Sequence, residues 1–368
     1  MQRLALRLRD RALYQRLRIL RKRDWRRRHQ RVFALNPNYA LPCPPEIEAE
    51  HRQLWAPLKR KVDVSTLRIC ANISGRADPR TIPEEVFAVD IEPLLAPRDW
   101  CHFLQHKSLY SLLYAAGDFP TAHLHGIRGS IYSAAFEPMT AIEARRAINA
   151  LNYPLIIKPN IDSMGGANVY FCDDPAQLWK QIETAENFVV QPVEKQAPFL
   201  QRFNSLGLNT CRVDLYRSVV TNELHVLHVA LRLGRNGSLD NETAGGLVCC
   251  ISPTGVLGDF AVDKHGVKFD SHPDSLIRFA DAGPLPQFSN LIDLSKRIAA
   301  RVLGTRLIAL DMFFDQSGRW RCLEVNLLGL TIRFAQYSGR PFLGEFTNEV
   351  IEYARTHERK GLARWQVG

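Results

Sequence analysis

Residues 307–326 read LIALDMFFDQSGRWRCLEVN. Two apolar runs, LIALDMFF and RCLEVN, flank a turn sequence with Ser317-Gly318 at its centre, and this pattern predicts a β-hairpin. The runs are interrupted by Asp311 in the first, and by Glu324 and Asn326 in the second. Residues two apart on a strand point to the same side. In a hairpin symmetric about Ser317-Gly318, facing residues have numbers that sum to 635. Asp311 then faces Glu324, with Asn326 one pair further along on the same side. Ile308, Leu310, Met312 and Phe314 against Leu323 and Val325 form the other, core-facing side. A turn of odd length would break this alignment.

Directly facing Cβ atoms on paired strands lie about 4.5–5.5 Å apart, where like charges repel. A shared cation relieves that repulsion. Two carboxylates and an amide oxygen suit Mg²⁺, which keeps waters and accepts phosphate oxygens as its remaining ligands. Asp311, Glu324 and Asn326 are therefore candidate metal ligands. The competing reading is a wet face neutralised by nearby Lys or Arg.

A metal-bound phosphate needs partners, and IIKPNIDSMGGANV (156–169) offers them. Lys158 ends an apolar strand, followed by a loop with Ser163, Gly165 and Gly166. Small residues let backbone N–H groups approach phosphate oxygens, and a lysine supplies a point charge. The spacing is not that of a Walker loop. Further on, FVVQPVEK (188–195) is an apolar strand stopped by proline. Main-chain groups at Gln191 and Val193 are expected to be open to an adenine edge, with Glu194 available for ribose hydroxyls. An ordinary turn with a surface charge is the alternative.

The remaining pattern is mixed. TAIEARRAINALNY (140–153) opens with a capping box, Thr140 and Glu143; DDPAQLWKQIETAE has Asp174 as cap and Pro175 at its first position. KSLYSLLYAAG (107–117) reads as a helix closed by Gly117, and 289–303 as one closed by Gly304. Residues 211–262 are strand-rich. The order suggests α+β lobes rather than a doubly wound sheet. The divisions expected are a basic extension and linker (1–40), an N-terminal α/β portion (41–150), a nucleotide-binding part (151–200) and a metal and catalytic part (201–368).

The charge is unevenly spread. Of the net +10, residues 1–31 hold thirteen Lys or Arg against two Asp, and the remainder is nearly neutral. Leu13, Leu17 and Leu20 recur there at helical spacing. Such a basic helix can dock on its own protein, lie on an anionic membrane or meet a partner protein; its few aromatics argue against nucleic acid. The eight cysteines show no CxxC spacing, and with no apolar run of membrane length they fit a reducing cytosol, with or without attachment to the inner face of the membrane.

The order Lys107, Lys158, small-residue loop, VVQPVE, Asp311, Glu324, Asn326 resembles the ATP-grasp superfamily over roughly residues 80–355. IPEEVFAVDIEPLL, HKSLYSLLYAAGDFPTAHLHGIRGSIY, LNTCRVDLY and LRLGRNGSLDNETAGG look, more narrowly, like its sugar-transfer-associated family, related to glutamate-ligase-like proteins. The resemblance implies ATP clasped between two α+β lobes, with Lys107 and Lys158 on its phosphates. Adenine would lie at Gln191–Val193, and magnesium (or manganese) on Asp311, Glu324 and Asn326. It implies a ligase that phosphorylates a small or glycan-linked carboxylate for attack by an amine, in polysaccharide or amino-acid-conjugate biosynthesis. The alternatives are a phosphotransferase on another acceptor or a nucleotide-binding interaction protein recruited by its basic tail. Arg212 and Arg232 would meet the γ-phosphate or acylphosphate, and Asn241 would help close the site. A two-residue turn at Thr221-Asn222 would set the two arginines on opposite faces; a three-residue turn or a bulge would bring them together.

Overall fold

The computed structural model describes residues 2–58, 61–161, 168–236 and 245–357, the side chains of 2–8, 10, 11 and 99 excepted. Two antiparallel sheets dominate. The first contains β1 (Leu124–Ile127), β2 (Ser130–Ser133), β3 (Pro138–Met139), β4 (Leu155–Pro159), β5 (Tyr170–Cys172) and β6 (Phe188–Pro192), in the order β3-β2-β1-β6-β4-β5. The second contains β7 (Thr210–Arg217), β8 (Leu224–Leu233), β9 (Leu247–Ile251), β10 (Leu257–Val262), β11 (Lys268–Phe269), β12 (Leu307–Phe314) and β13 (Trp320–Asn326). Its order is β11-β10-β9-β8-β7-β12-β13. The first sheet draws strands from both sides of residue 150. Helices segregated around antiparallel sheets make this an α+β protein.

Local chemistry explains the helices that frame the sheets. Thr140 and Glu143 form the reciprocal capping box that starts Ala141–Asn149, and Asp174 caps Pro175–Ile182. The 107–117 segment departs from a single helix. It makes a 3₁₀ turn at Lys107–Leu109 and one α-turn at Tyr110–Leu113, and Tyr114 is already extended. The residues 289–303 run as the helix Phe288–Ala300, which packs with Ile308, Leu310, Met312, Val213 and Leu231 in the largest core. The opposite face of the second sheet carries the charged residues described below, flanked by smaller apolar clusters.

Two hairpins of the second sheet, β7–β8 and β12–β13, reach their register through a bulge. Between β12 and β13 the turn is odd: Asp315 N–H bonds Arg319 O, Gly318 N–H bonds Asp315 O, and Gly318 takes φ +76°. This left-handed position closes a three-residue loop and favours glycine. Met312 therefore faces Cys322. One extra residue, Leu323, then shifts the ladder, so that Asp311 faces Glu324 and Ala309 faces Asn326. Leu323, expected in the core, is half-buried at the bulge, and Cys322 takes the core position. Between β7 and β8, Ser218 N–H bonds Glu223 O around a four-residue loop, and an extra residue, Leu227, shifts the register between Leu215 and Asp214. Arg212 then faces Ala230 and Thr210 faces Arg232, which sets both arginines on one face.

The N-terminal helix, α1 (Gln2–Leu35), lies against the body. Leu17, His29 and Val32 are buried, and Tyr14 Oη donates to Asp90. Arg18 donates to Leu58 O at 2.8 Å, and His29 Nε2 lies 3.3 Å from Glu84 Oε2. The leucine series splits: Leu17 docks, while Leu20 stays 43% exposed. No helix among the described residues is long and apolar enough to cross a membrane.

Candidate active site

A line of charged side chains crosses from the first sheet to the second. At one end is Lys158, buried on β4 and paired through its backbone with Val189 of β6. Burial, and then the positive charge of Lys107, pushes its ammonium down to about 8, while Glu324 and Glu194 act in the opposite sense. Lys107 stands at the start of its 3₁₀ turn, buried, and donates to Glu324 Oε1 at 2.6 Å.

Asn160 locks that turn to the sheet. Lys107 N–H donates to Asn160 O at 2.9 Å, Ser108 Oγ donates to its Oδ1 at 2.7 Å, and its Nδ2 donates to Gly126 O at 2.7 Å. The sequence reading passed over Asn160. Its signal was a carboxamide directly after the strand-ending Lys158-Pro159, where a fully buried polar side chain must find several partners.

Asp311 is the centre of the second sheet's cluster. Arg212 grips it with two bonds, Nε to Oδ1 at 2.6 Å and Nη2 to Oδ2 at 3.0 Å. Arg232 Nη1 donates to Oδ1 at 3.0 Å, and Asn326 Nδ2 to Oδ2 at 3.1 Å. Burial works to raise the Asp311 carboxyl, but the two guanidiniums overcome it and hold the group well below the usual carboxylate range. Two residues from Arg212 on the same face, buried Asp214 is pushed up to about 7 by desolvation, against the pull of Arg212. This carboxyl too was missed, although CRVDLYR places it at strand spacing from Arg212.

The candidate nucleotide residues are placed as follows. Gln191 is buried and donates through Nε2 to Pro120 O at 3.0 Å, while its Oε1 has no partner among the described residues. The Val193 N–H, expected to be open, makes a long bond to Pro154 O at 3.4 Å. Glu194 accepts from Arg321 Nη1 at 2.9 Å, and Arg321 also donates to Phe119 O at 2.6 Å. Arg321 thereby clamps β13 to the segment that follows β6. Ser163, Gly165, Gly166 and Asn241 lie outside the described residues.

The candidate metal ligands converge, with a qualification in their chemistry. Asp311 accepts four N–H bonds and would need an arginine to yield before it could bind a cation directly. Among the described residues, Glu324 Oε2 and the side-chain oxygen of Asn326 accept no such bond, and they are the hard oxygen donors Mg²⁺ prefers. The donor set fits a divalent ion through Glu324 and Asn326, with Asp311 behind them. No group of three His, Cys, Asp or Glu with metal-binding geometry occurs among the described residues.

Residues 175–349 match the family described as sugar-transfer associated ATP-grasp. No curated protein matches the chain. Solved structures that resemble it include the D-alanyl-alanine synthetase A of Vibrio cholerae, at 14% identity and TM-score 0.42, covering 71% of this chain and 67% of that one. Another is the L-amino acid ligase of Bacillus licheniformis, at 12% identity and TM-score 0.39, covering 72% and 48%. A third is the biotin carboxylase domain of the Hydrogenobacter thermophilus 2-oxoglutarate carboxylase, solved with MgADP, ADP and bicarbonate, at 12% identity and TM-score 0.41, covering 70% and 46%. The chain thus spans about half to two thirds of the length of these structures.

Proposed function

From the match of residues 175–349 to the sugar-transfer associated ATP-grasp family, we propose that this protein is a Mg-ATP-dependent ligase joining a carboxylate to an amine. The observation that carries this reading is the continuous path of charge, Lys158, Lys107, Glu324, Asp311, Arg212 and Arg232, linking the two sheets.

Lys107 and Lys158 hold the phosphates of ATP, and the Gln191–Val193 segment receives adenine beside Glu194. A triphosphate between the sheets would draw Lys107 away from Glu324 and release that carboxylate for the metal. Bound Mg²⁺, held by Glu324 and Asn326 with Asp311 behind, would neutralise phosphate charge. Arg212 and Arg232 stabilise charge on the transferring group, in a site whose strands hold the reactants in line.

The substrate carboxylate attacks the γ-phosphorus, the bond to ADP breaks, and an acylphosphate forms. The amine then attacks the acyl carbon, phosphate departs, and the nitrogen loses a proton to give an amide. Glycan-linked acids and amines, for polysaccharide assembly, are the substrates we favour. The eight free thiols suit a reducing cytosol.

Incubation with ATP, Mg²⁺ or Mn²⁺, and pooled carboxylates and amines tests the reading. ADP, phosphate and a new amide are the expected products. A stable phosphorylated acceptor would replace the ligase with a phosphotransferase, and absence of turnover would leave nucleotide binding alone.

A further inference from the structure

The docking of α1 on the body leaves its opposite face outward, and that face has one chemical character. At about 100° per residue, Arg9, Arg16, Leu20, Arg23 and Arg27 fall within about 60° of one another, and all five are exposed. Arg26, Arg31 and Ile19 flank them, with Ile19 68% exposed. The residues that anchor the helix, Tyr14, Leu17, Arg18, Trp25, His29 and Val32, cluster around the opposite direction. Among the described side chains its acidic partners sit on that inner side, where Arg18 meets Asp90 and His29 meets Glu84. The outward arginines have no carboxylate within salt-bridge reach among the described side chains, and Asp24 lies off the centre of the stripe.

We infer that this stripe is a docking face for an anionic lipid surface. Charge complementarity selects an acidic partner, because juxtaposed arginines gain most where negative headgroups are dense. The apolar content then selects lipid over nucleic acid. Ile19 and Leu20 stand exposed among the arginines, where the headgroup–acyl boundary would receive them. The aromatic side chains that could stack on bases are turned inward instead: Tyr14 Oη bonds Asp90, and Trp25 lies beneath Arg28 and Arg333. Because the helix is fixed to the body along its inner side, the membrane would hold the whole protein in one orientation.

Sedimentation of the full chain with vesicles tests this inference independently of catalysis. Vesicles of phosphatidylcholine with about one third phosphatidylserine should retain the protein at about 0.1 M salt, and retention should weaken as salt shortens the screening length. Phosphatidylcholine alone should not retain it. The triple variant Arg16→Gln, Arg23→Gln, Arg27→Gln should lose roughly a hundredfold in partitioning, while the corresponding lysine variant keeps most of it. Unchanged circular dichroism would confirm that the inner contacts survive in both. Equal retention on neutral vesicles, no retention on acidic ones, or tighter binding to an oligonucleotide than to acidic vesicles would each overturn the assignment.

Discussion

Lys107 donates to Glu324 across 2.6 Å, joining the segment pinned to the first sheet to the last strand of the second. The lysine is almost wholly buried, while the carboxylate is partly open to solvent. One face of this pair is thus available to an incoming ligand. Glu324→Gln should lower ATP-dependent turnover by about a hundredfold or more, the scale of losing a charged group at a phosphoryl-transfer site. ADP release measured by a coupled assay checks it, and turnover within threefold of the parent would remove Glu324 from the machinery.

Asp311 is the sole acidic hydrogen-bond partner of Arg212 and Arg232 among the described residues. Its removal leaves two guanidiniums in a largely buried site. Asp311→Ala should destabilise the fold by roughly 3–5 kcal/mol, the usual consequence of breaking a buried pair from one side. Urea unfolding provides the measurement, with a loss below about 1 kcal/mol contradicting the picture.

Two groups give pH dependence of opposite sign. The Lys158 ammonium is depressed to about 8 in the folded chain, whereas an unfolded lysine titrates near about 10.4. Below pH 8 its burial weakens the fold, and stability recovers as pH rises across that window. ATP affinity should move the other way, falling as the ammonium is lost above about pH 8. Lys158→Arg should carry that fall to higher pH, and a flat affinity between neutral pH and about 9.5 would refute it.

The Asp214 carboxyl titrates near 7 when folded, above its unfolded value of about 3.9. Its contribution is complete below the unfolded value and is lost as pH rises through 7. Asp214→Asn should therefore flatten the decline in stability between pH 5 and pH 8, read as urea midpoints.

Asn160 is a positioning residue with a different signature. Asn160→Ala removes bonds to Ser108 and Gly126, costing about 1–3 kcal/mol. It loosens the turn that carries Lys107. KM for ATP should rise several-fold with a smaller change in kcat, and Asn160→Asp should not restore it, because the Gly126 carbonyl needs a donor.

Much of this arrangement was legible because strand periodicity is strict. Alternation in LIALDMFF assigned the core and site faces of β12, and the capping residues Thr140 and Asp174 marked helix starts. Facing of Asp311 and Glu324 was reached on the premise of an even turn, whereas the turn is odd and Leu323 restores the register. A bulge has no compositional mark in RCLEVN, so nothing local could reveal it. Long-range pairing was equally hidden. That Asp311 is held by Arg212, and Glu194 by Arg321, depends on β7 lying beside β12 and on the approach of the two sheets. The 107–117 segment misled because its apolar spacing suits a helix, while its turn is fixed instead by the main chain of Asn160.

Leu323 and Leu227 are each supernumerary, one per hairpin. Excising either would leave every neighbour on its present side, since the parity of the strand beyond the kink already agrees with the turn. A shortened protein lacking both should still bring Arg212, Arg232, Asp311 and Glu324 together, surrendering only local curvature. Sequences of differing length across these two segments can thus encode one and the same charged array.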